Sequence, residues 1–429
     1  PAPSLAWDLR AQFKPSCLSS NGVVCRACGD VCDTRAIQFQ LQRGGRGFAL
    51  FALGFRPFFL LAGLSAVILV VLWLLFWHGR LPVSGYFDAI KWHAHEMLFG
   101  YVASVIAGFL LTAVRNWTGM AVPIKGKLAA LAMIWLLARV LILIPGAPGT
   151  LVALVDLLFI PLLGLSLFRP LWFGQNKSNR YFLLLFASMA CANLLFHLDV
   201  LGLIQGWWQR GAFFMLDTVL LTLLLVAGRV VPFFTAKAVA GSTPRSYPWI
   251  EKSGFALVIL LAFAQLTIPH RLLAGVLAIL LALLQAIRLA AWHHPGVWRI
   301  PVLWVLYTGY IWLVIGLLLR GLSSFGLLSY QLGLHGLTVG ALGVVTLGMM
   351  SRVALGHTGR DINTSKLTNL AFVLLNAGAI SRVVMPMLAP AQYTTWVNIS
   401  GDLWVLGFGL FVLVYTSILV RPRIDGRPG

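Results

Sequence analysis

From residue 56 to the C-terminus, apolar runs of about twenty residues alternate with short loops rich in Gly, Pro, Lys and Arg. A helix needs about 20 apolar residues to cross the hydrocarbon core of a bilayer. The pattern predicts twelve such helices, near residues 56–77, 93–114, 127–145, 150–168, 181–204, 212–232, 253–269, 271–291, 301–319, 333–352, 367–388 and 398–420. The weakest breaks, around Pro145–Gly149 and at Pro269-His270, read as tight turns between antiparallel helices. Residues 1–45 differ: they are polar and basic, run into Gly44-Gly45-Arg46, and lack the early apolar core of a cleavable signal peptide. The expected organisation is an all-α polytopic membrane domain over residues 48–429, preceded by a small Cys-rich segment over residues 1–45.

Composition agrees with this pattern. Of 429 residues, 59% are hydrophobic and 10% charged, against about 25% charged in soluble domains. Such a chain cannot cover a globule with polar surface, so a soluble enzyme and a disordered chain are both excluded. Net charge is +20, but the basic residues fall at helix ends, where orientation in the membrane explains them better than nucleic acid does. With the N-terminus in the cytoplasm, 25 of the 32 Lys and Arg lie on the cytoplasmic side and five on the other, with two inside spans. The positive-inside rule therefore places both termini in the cytoplasm of a bacterial cell, at its inner membrane.

An internal repeat follows from fixed spacings. After His95, glycines stand at +5 and +13 (Gly100, Gly108) and Thr118-Gly119 at +23 and +24; after His335, Gly340, Gly348 and Thr358-Gly359 occupy the same offsets. The next spans carry Arg139-Val140 and Arg382-Val383, and the spans after those carry Asp156-Leu157 and Asp402-Leu403. Eight spans separate the copies, an even number, so the repeat is parallel, about an axis along the membrane normal.

Charged and ligating groups inside a bilayer are expensive and mark function. In the expected orientation His93, His95, Glu96, Asp156, His197, Asp199, Asp217, His335, Asp402, Arg139 and Arg382 all lie toward the periplasmic face. Imidazoles gathered at one depth suit haem iron, copper or zinc; the other reading is interfacial anchoring, each ring bonded on its own. The repeat makes His95 and His335 the expected facing pair of axial haem ligands. His93 and His197 are then candidates for copper or for a vacant-site partner. His93 and His95 are two residues apart and point to nearly opposite helix faces, about 200° apart. Arg139 and Arg382 suit haem propionates, or else pair with Asp156 and Asp402. Parallel repeats with intramembrane Asp and Arg also occur in transporters and channels, the rival function.

Four of the five cysteines, Cys17, Cys25, Cys28 and Cys32, crowd near the N-terminus. Their spacing and the following Asp33-Thr34-Arg35-Ala36-Ile37 resemble half of a bacterial ferredoxin motif, most like NapF-type ferredoxins, with Asp33 where Pro is usual. Four thiolates can hold one [4Fe–4S] cluster or a structural zinc. A cytoplasmic cluster would be the entry point for an electron donor, but about 30 Å of membrane separates it from the histidine layer.

The membrane region resembles the NnrS family. The resemblance rests on Leu53-Gly54-Phe55-Arg56-Pro57-Phe58-Phe59, Trp92-His93-Ala94-His95-Glu96-Met97-Leu98-Phe99-Gly100, Asn116-Trp117-Thr118-Gly119, Gly228-Arg229-Val230-Val231-Pro232-Phe233-Phe234-Thr235, and Arg352-Val353-Ala354-Leu355-Gly356-His357-Thr358-Gly359-Arg360. It implies an inner-membrane protein containing haem, expected to be b-type, and copper, associated with denitrification and with protection against nitric oxide. It leaves turnover open: an oxidoreductase acting on nitric oxide or its metal adducts and a non-catalytic sensor are both compatible.

Overall fold

A computed structural model describes residues 47–82, 85–267 and 271–427. The Cys-rich segment, with Cys17, Cys25, Cys28 and Cys32, lies outside the described residues, as does the Pro269-His270 turn. The described chain is all-helical. Twelve helices are long and apolar enough to cross a membrane: α1 (Phe55–Trp77), α2 (Ala89–Thr118), α3 (Lys125–Leu143), α4 (Gly149–Phe173), α5 (Tyr181–Val200), α6 (Trp208–Ala238), α7 (Pro248–Thr267), α8 (Arg271–Trp292), α9 (Pro301–Ser324), α10 (Tyr330–His357), α11 (Lys366–Val383) and α12 (Tyr393–Val420). Every expected span is present, in order, with its ends moved by a few residues.

Local chemistry sets the helix ends. Asp88 caps α2 by accepting from the backbone of Lys91 at 2.8 Å, and Ser365 caps α11 through the Thr368 amide. Pro301 occupies the first turn of α9, where its missing N–H costs nothing. Gly119 and Gly359 take left-handed φ values of 66° and 74° beyond α2 and α10, which only glycine adopts cheaply. The Thr-Gly pairs of the repeat are therefore matching C-terminal stops. Pro161 and Pro232 lie inside α4 and α6, as membrane helices tolerate.

The repeat is visible in the backbone. α2 is α-helical to His95, π-helical over Glu96–Val102 and α-helical again. α10 is α-helical to His335, π-helical over Gly336–Gly343 and α-helical again. Single π turns inside α-helices are rare and cluster at functional sites; here each begins on the residue after the repeated histidine. These two spans are also the most enclosed, 83% and 72% buried along their apolar windows, so they form the centre of the bundle. The Tyr101 and Thr346 hydroxyls join them at 2.6 Å. The first and last spans meet, with the Ala49 amide donating to the Val420 carbonyl and Arg56 donating to Leu419 and Arg421 carbonyls at 2.9 and 2.6 Å. Outer faces carry exposed Leu and Phe, such as Leu165, Leu184 and Leu413, where lipid would lie.

Candidate metal centre and adjoining cavity

Antiparallel alternation brings the start of α2, the end of α3, the start of α4 and the end of α5 to one end of the bundle, opposite the described chain ends. There His95 of α2, Asp156 of α4 and His197 of α5 converge, buried to 0%, 3% and 0% exposure. Among the described residues this is the one group of three His, Cys, Asp or Glu whose ligand atoms lie within 4.8 Å of one another. His95 Nε2 and His197 Nε2 stand 3.2 and 2.9 Å from the same Asp156 Oδ2. Three ligands of one tetrahedral ion, with bonds of about 2.0–2.2 Å, would stand about 3.4 Å apart.

The surroundings hold each ligand in place. Tyr86 Oη lies 2.7 Å from His197 Nδ1, and Glu96 Oε1 lies 3.1 Å from His95 Nδ1. Fixing the far ring nitrogen in this way is the usual support of a metal-binding histidine. Tyr86 lies in the connection before α2, and its partial burial raises the phenol above its ordinary value, keeping it neutral. Arg139 of α3 binds Asp156 Oδ1 and sits 3.3 Å from Glu96 Oε1, while Asn193 Nδ2 donates to Asp156 Oδ2 at 2.7 Å. Phe87, Phe99 and Phe196 pack around the His95 ring and exclude water.

The donor set is unbalanced as it stands. A neutral imidazole has one donor and one lone pair. Both nitrogens of His95 face acceptors: Glu96 Oε1 on one side, Asn193 Oδ1 and Asp156 Oδ2 on the other. With neutral imidazoles, two carboxylates and one guanidinium leave a buried charge of −1. A cation between His95 Nε2, His197 Nε2 and Asp156 Oδ2 corrects both faults, so the residues fit a metal.

A second feature backs onto this centre. A cavity of about 490 Å³ lies between α1, α2, α6, α10, α11 and α12, bounded by His93, His335, Arg382, Trp73, Tyr101 and Trp404 among others. That is within the range of about 300–1,000 Å³ of cofactor and ligand sites. His335 Nδ1 donates to the Gln331 carbonyl at 2.8 Å, and Arg382 Nη2 lies 3.3 Å from His335 Nε2. His93 Nδ1 and Arg382 Nη1 are buried without hydrogen-bond partners among the described residues. Two imidazoles, a free guanidinium nitrogen and apolar walls fit a planar metallocofactor bearing acid groups.

The structure thus sorts the expected residues differently from the repeat. His95 and His335 do not form a facing pair: His95 is enclosed with His197 and Asp156, whereas the cavity with His335 is shared by His93. The opposite-face rule for positions two apart explains this, since His93 and His95 leave one helical turn in different directions. Arg139 binds Asp156 and Glu96, while Arg382 has no carboxylate in ion-pair range among the described residues and faces the cavity. Asp217, from the same polar layer, is taken up by Arg320 at 2.5 and 3.0 Å. On the opposite side, His293, His294 and His357 stay apart, in contact with Trp298, the Gly296 amide and the Phe55 ring respectively. Tyr86 and Asn193 escaped the sequence reading. Asn193 stands four residues before His197, on the same helix face, which was the available signal; nothing in the loop marked Tyr86.

A search of curated proteins finds no match to this chain. The family model described as NnrS protein matches residues 49–423, nearly all of the membrane region, and the chain therefore belongs to the NnrS family.

Proposed function

We propose that this is a metalloprotein of the nitric oxide response, seated in a bacterial inner membrane with both termini cytoplasmic and its metal sites toward the periplasm. The Lys and Arg asymmetry supports the orientation, and family membership supports the link to nitric oxide. His95, Asp156 and His197 hold a transition metal, copper by the family association and by the affinity of imidazole for it. The neighbouring cavity would hold haem through His93 and His335, with Arg382 Nη1 as the partner of an acid side group. Bound copper and haem iron would supply sites for a small diatomic ligand. The chain's own residues orient the ligands, exclude water and balance the buried charge.

The observation that carries this reading is His95, whose two nitrogens face only acceptors in a pocket of net negative charge. Elemental analysis and a visible spectrum of the full chain purified in detergent test it. Copper and a haem Soret band are expected, with copper lost in Asp156→Asn. A folded, colourless and metal-free protein overturns the reading, and a proton on His95 then balances the charge.

A further inference from the structure

The two histidines of the cavity are held in opposite ways. His335 is fixed: its Nδ1–H donates to the Gln331 carbonyl one turn back. A carbonyl only accepts, so the proton sits on Nδ1 and Nε2 keeps its lone pair, which accepts from Arg382 Nη2 at 3.3 Å and which a bound metal would take over from that guanidinium. A ligating histidine whose far nitrogen donates to a carbonyl is both oriented and made more basic.

His93 has no such support. Its ring lies flat on Trp73, with centroids 4.2 Å apart and planes 19° from parallel. Its Nδ1 is buried with no hydrogen-bond partner among the described residues. If Nε2 binds a metal, the proton must sit on Nδ1, where no acceptor meets it, and a buried unpaired donor is unfavourable. Stacking sets the plane of the ring but lends no electron density to the ligating nitrogen. Loss of such outer partners typically weakens a metal bond about 10–100-fold.

We propose that the cavity is asymmetric: His335 is the permanent axial ligand, and His93 is an exchangeable ligand that yields its coordination position to a small external molecule. This rests on the cavity being the haem site. The side lined by His93 and Trp73 is then where a diatomic ligand binds. Met97, four residues after His93 and also on the cavity wall, keeps the exchanged position apolar. The exchange is a substitution of one neutral donor by another, with no change in redox state.

Haem retention and spin state of full-length protein in detergent test the asymmetry. His335→Gly is expected to lose bound haem, and added imidazole to restore it, which separates ligand loss from misfolding. His93→Gly is expected to keep haem within about tenfold of wild-type affinity, to shift from low-spin to high-spin, and, once reduced, to bind carbon monoxide faster by about 10–100-fold, the weight of a supported ligand bond. Loss of haem in His93→Gly with retention in His335→Gly overturns the assignment, as does equal loss in both. A wild-type protein that takes up copper but no haem overturns the haem reading of the cavity itself, a result distinct from either variant pattern.

Discussion

The two repeat copies start from the same residue types at the same offsets and end as different sites. In the first, His95 is followed by Glu96, and Arg139 closes on Glu96 and Asp156. In the second, His335 is followed by Gly336, and Asp402 stands exposed on α12, so Arg382 has no carboxylate in ion-pair range among the described residues. A carboxylate next to the histidine thus yields a closed cluster with one negative charge in excess of its arginine. Its absence leaves a guanidinium and an imidazole facing open space. One scaffold supplies a compact His–Asp–His group and, beside it, a large cavity.

The comparison can be broken most severely at Asp156. Asp156→Ala takes the shared carboxylate from Arg139 and both imidazoles, leaving Arg139 only Glu96 at 3.3 Å, and removing one partner of a buried pair costs about 3–5 kcal/mol. Thermal unfolding in detergent should show a large drop, whereas Arg382→Met should cost about 1 kcal/mol, the worth of one hydrogen bond. Equal costs would mean that the second site is no more open than the first.

The +5 glycines give a smaller effect. A methyl on Gly340 would come 2.7 Å from Trp312 Cγ, and one on Gly100 would come 2.8 Å from Arg139 Nη1. A buried indole cannot retreat, so Gly340→Ala should destabilise by about 1–3 kcal/mol. The end of an arginine can move, so Gly100→Ala should unfold near the wild-type temperature yet loosen Arg139 from Glu96. A matching loss of stability in both would erase this difference between the copies.

Glu96→Gln keeps the shape of the first site and removes the charge behind His95. Copper affinity, measured by competition with a chelator, should fall about 10–100-fold, with the unfolding temperature and haem content nearly unchanged. The mildest perturbation is chelation alone. Stripping copper should leave the Soret band in place, because the two sites use opposite faces of one helical turn. Joint loss of both signals would show a single shared centre.

Much of this was legible beforehand. Twelve spans follow from the length of the apolar runs, and the repeat from spacing. The layer of His, Asp, Glu and Arg at one end follows from alternating direction along the spans. The partition of that layer was not legible. Spacing suggested His95 with His335, but the π turn after each histidine and the two-residue offset of His93 rotate the rings to other neighbours. Asn193 was visible only as a polar residue one turn before His197, and Tyr86 not at all, because a loop position has no periodicity to read.

Sequence alone determined that the chain lives in a bilayer, how often it crosses, and toward which end of the helices its His, Asp, Glu and Arg side chains gather. These depend on hydrophobic transfer and helix length, which are local and additive along the chain. Which imidazole meets which carboxylate, and whether an arginine is neutralised or left facing a cavity, was decided only by tertiary packing. Such contacts join residues as far apart as His95 and His197, and they depend on helix rotation, which no linear pattern encodes.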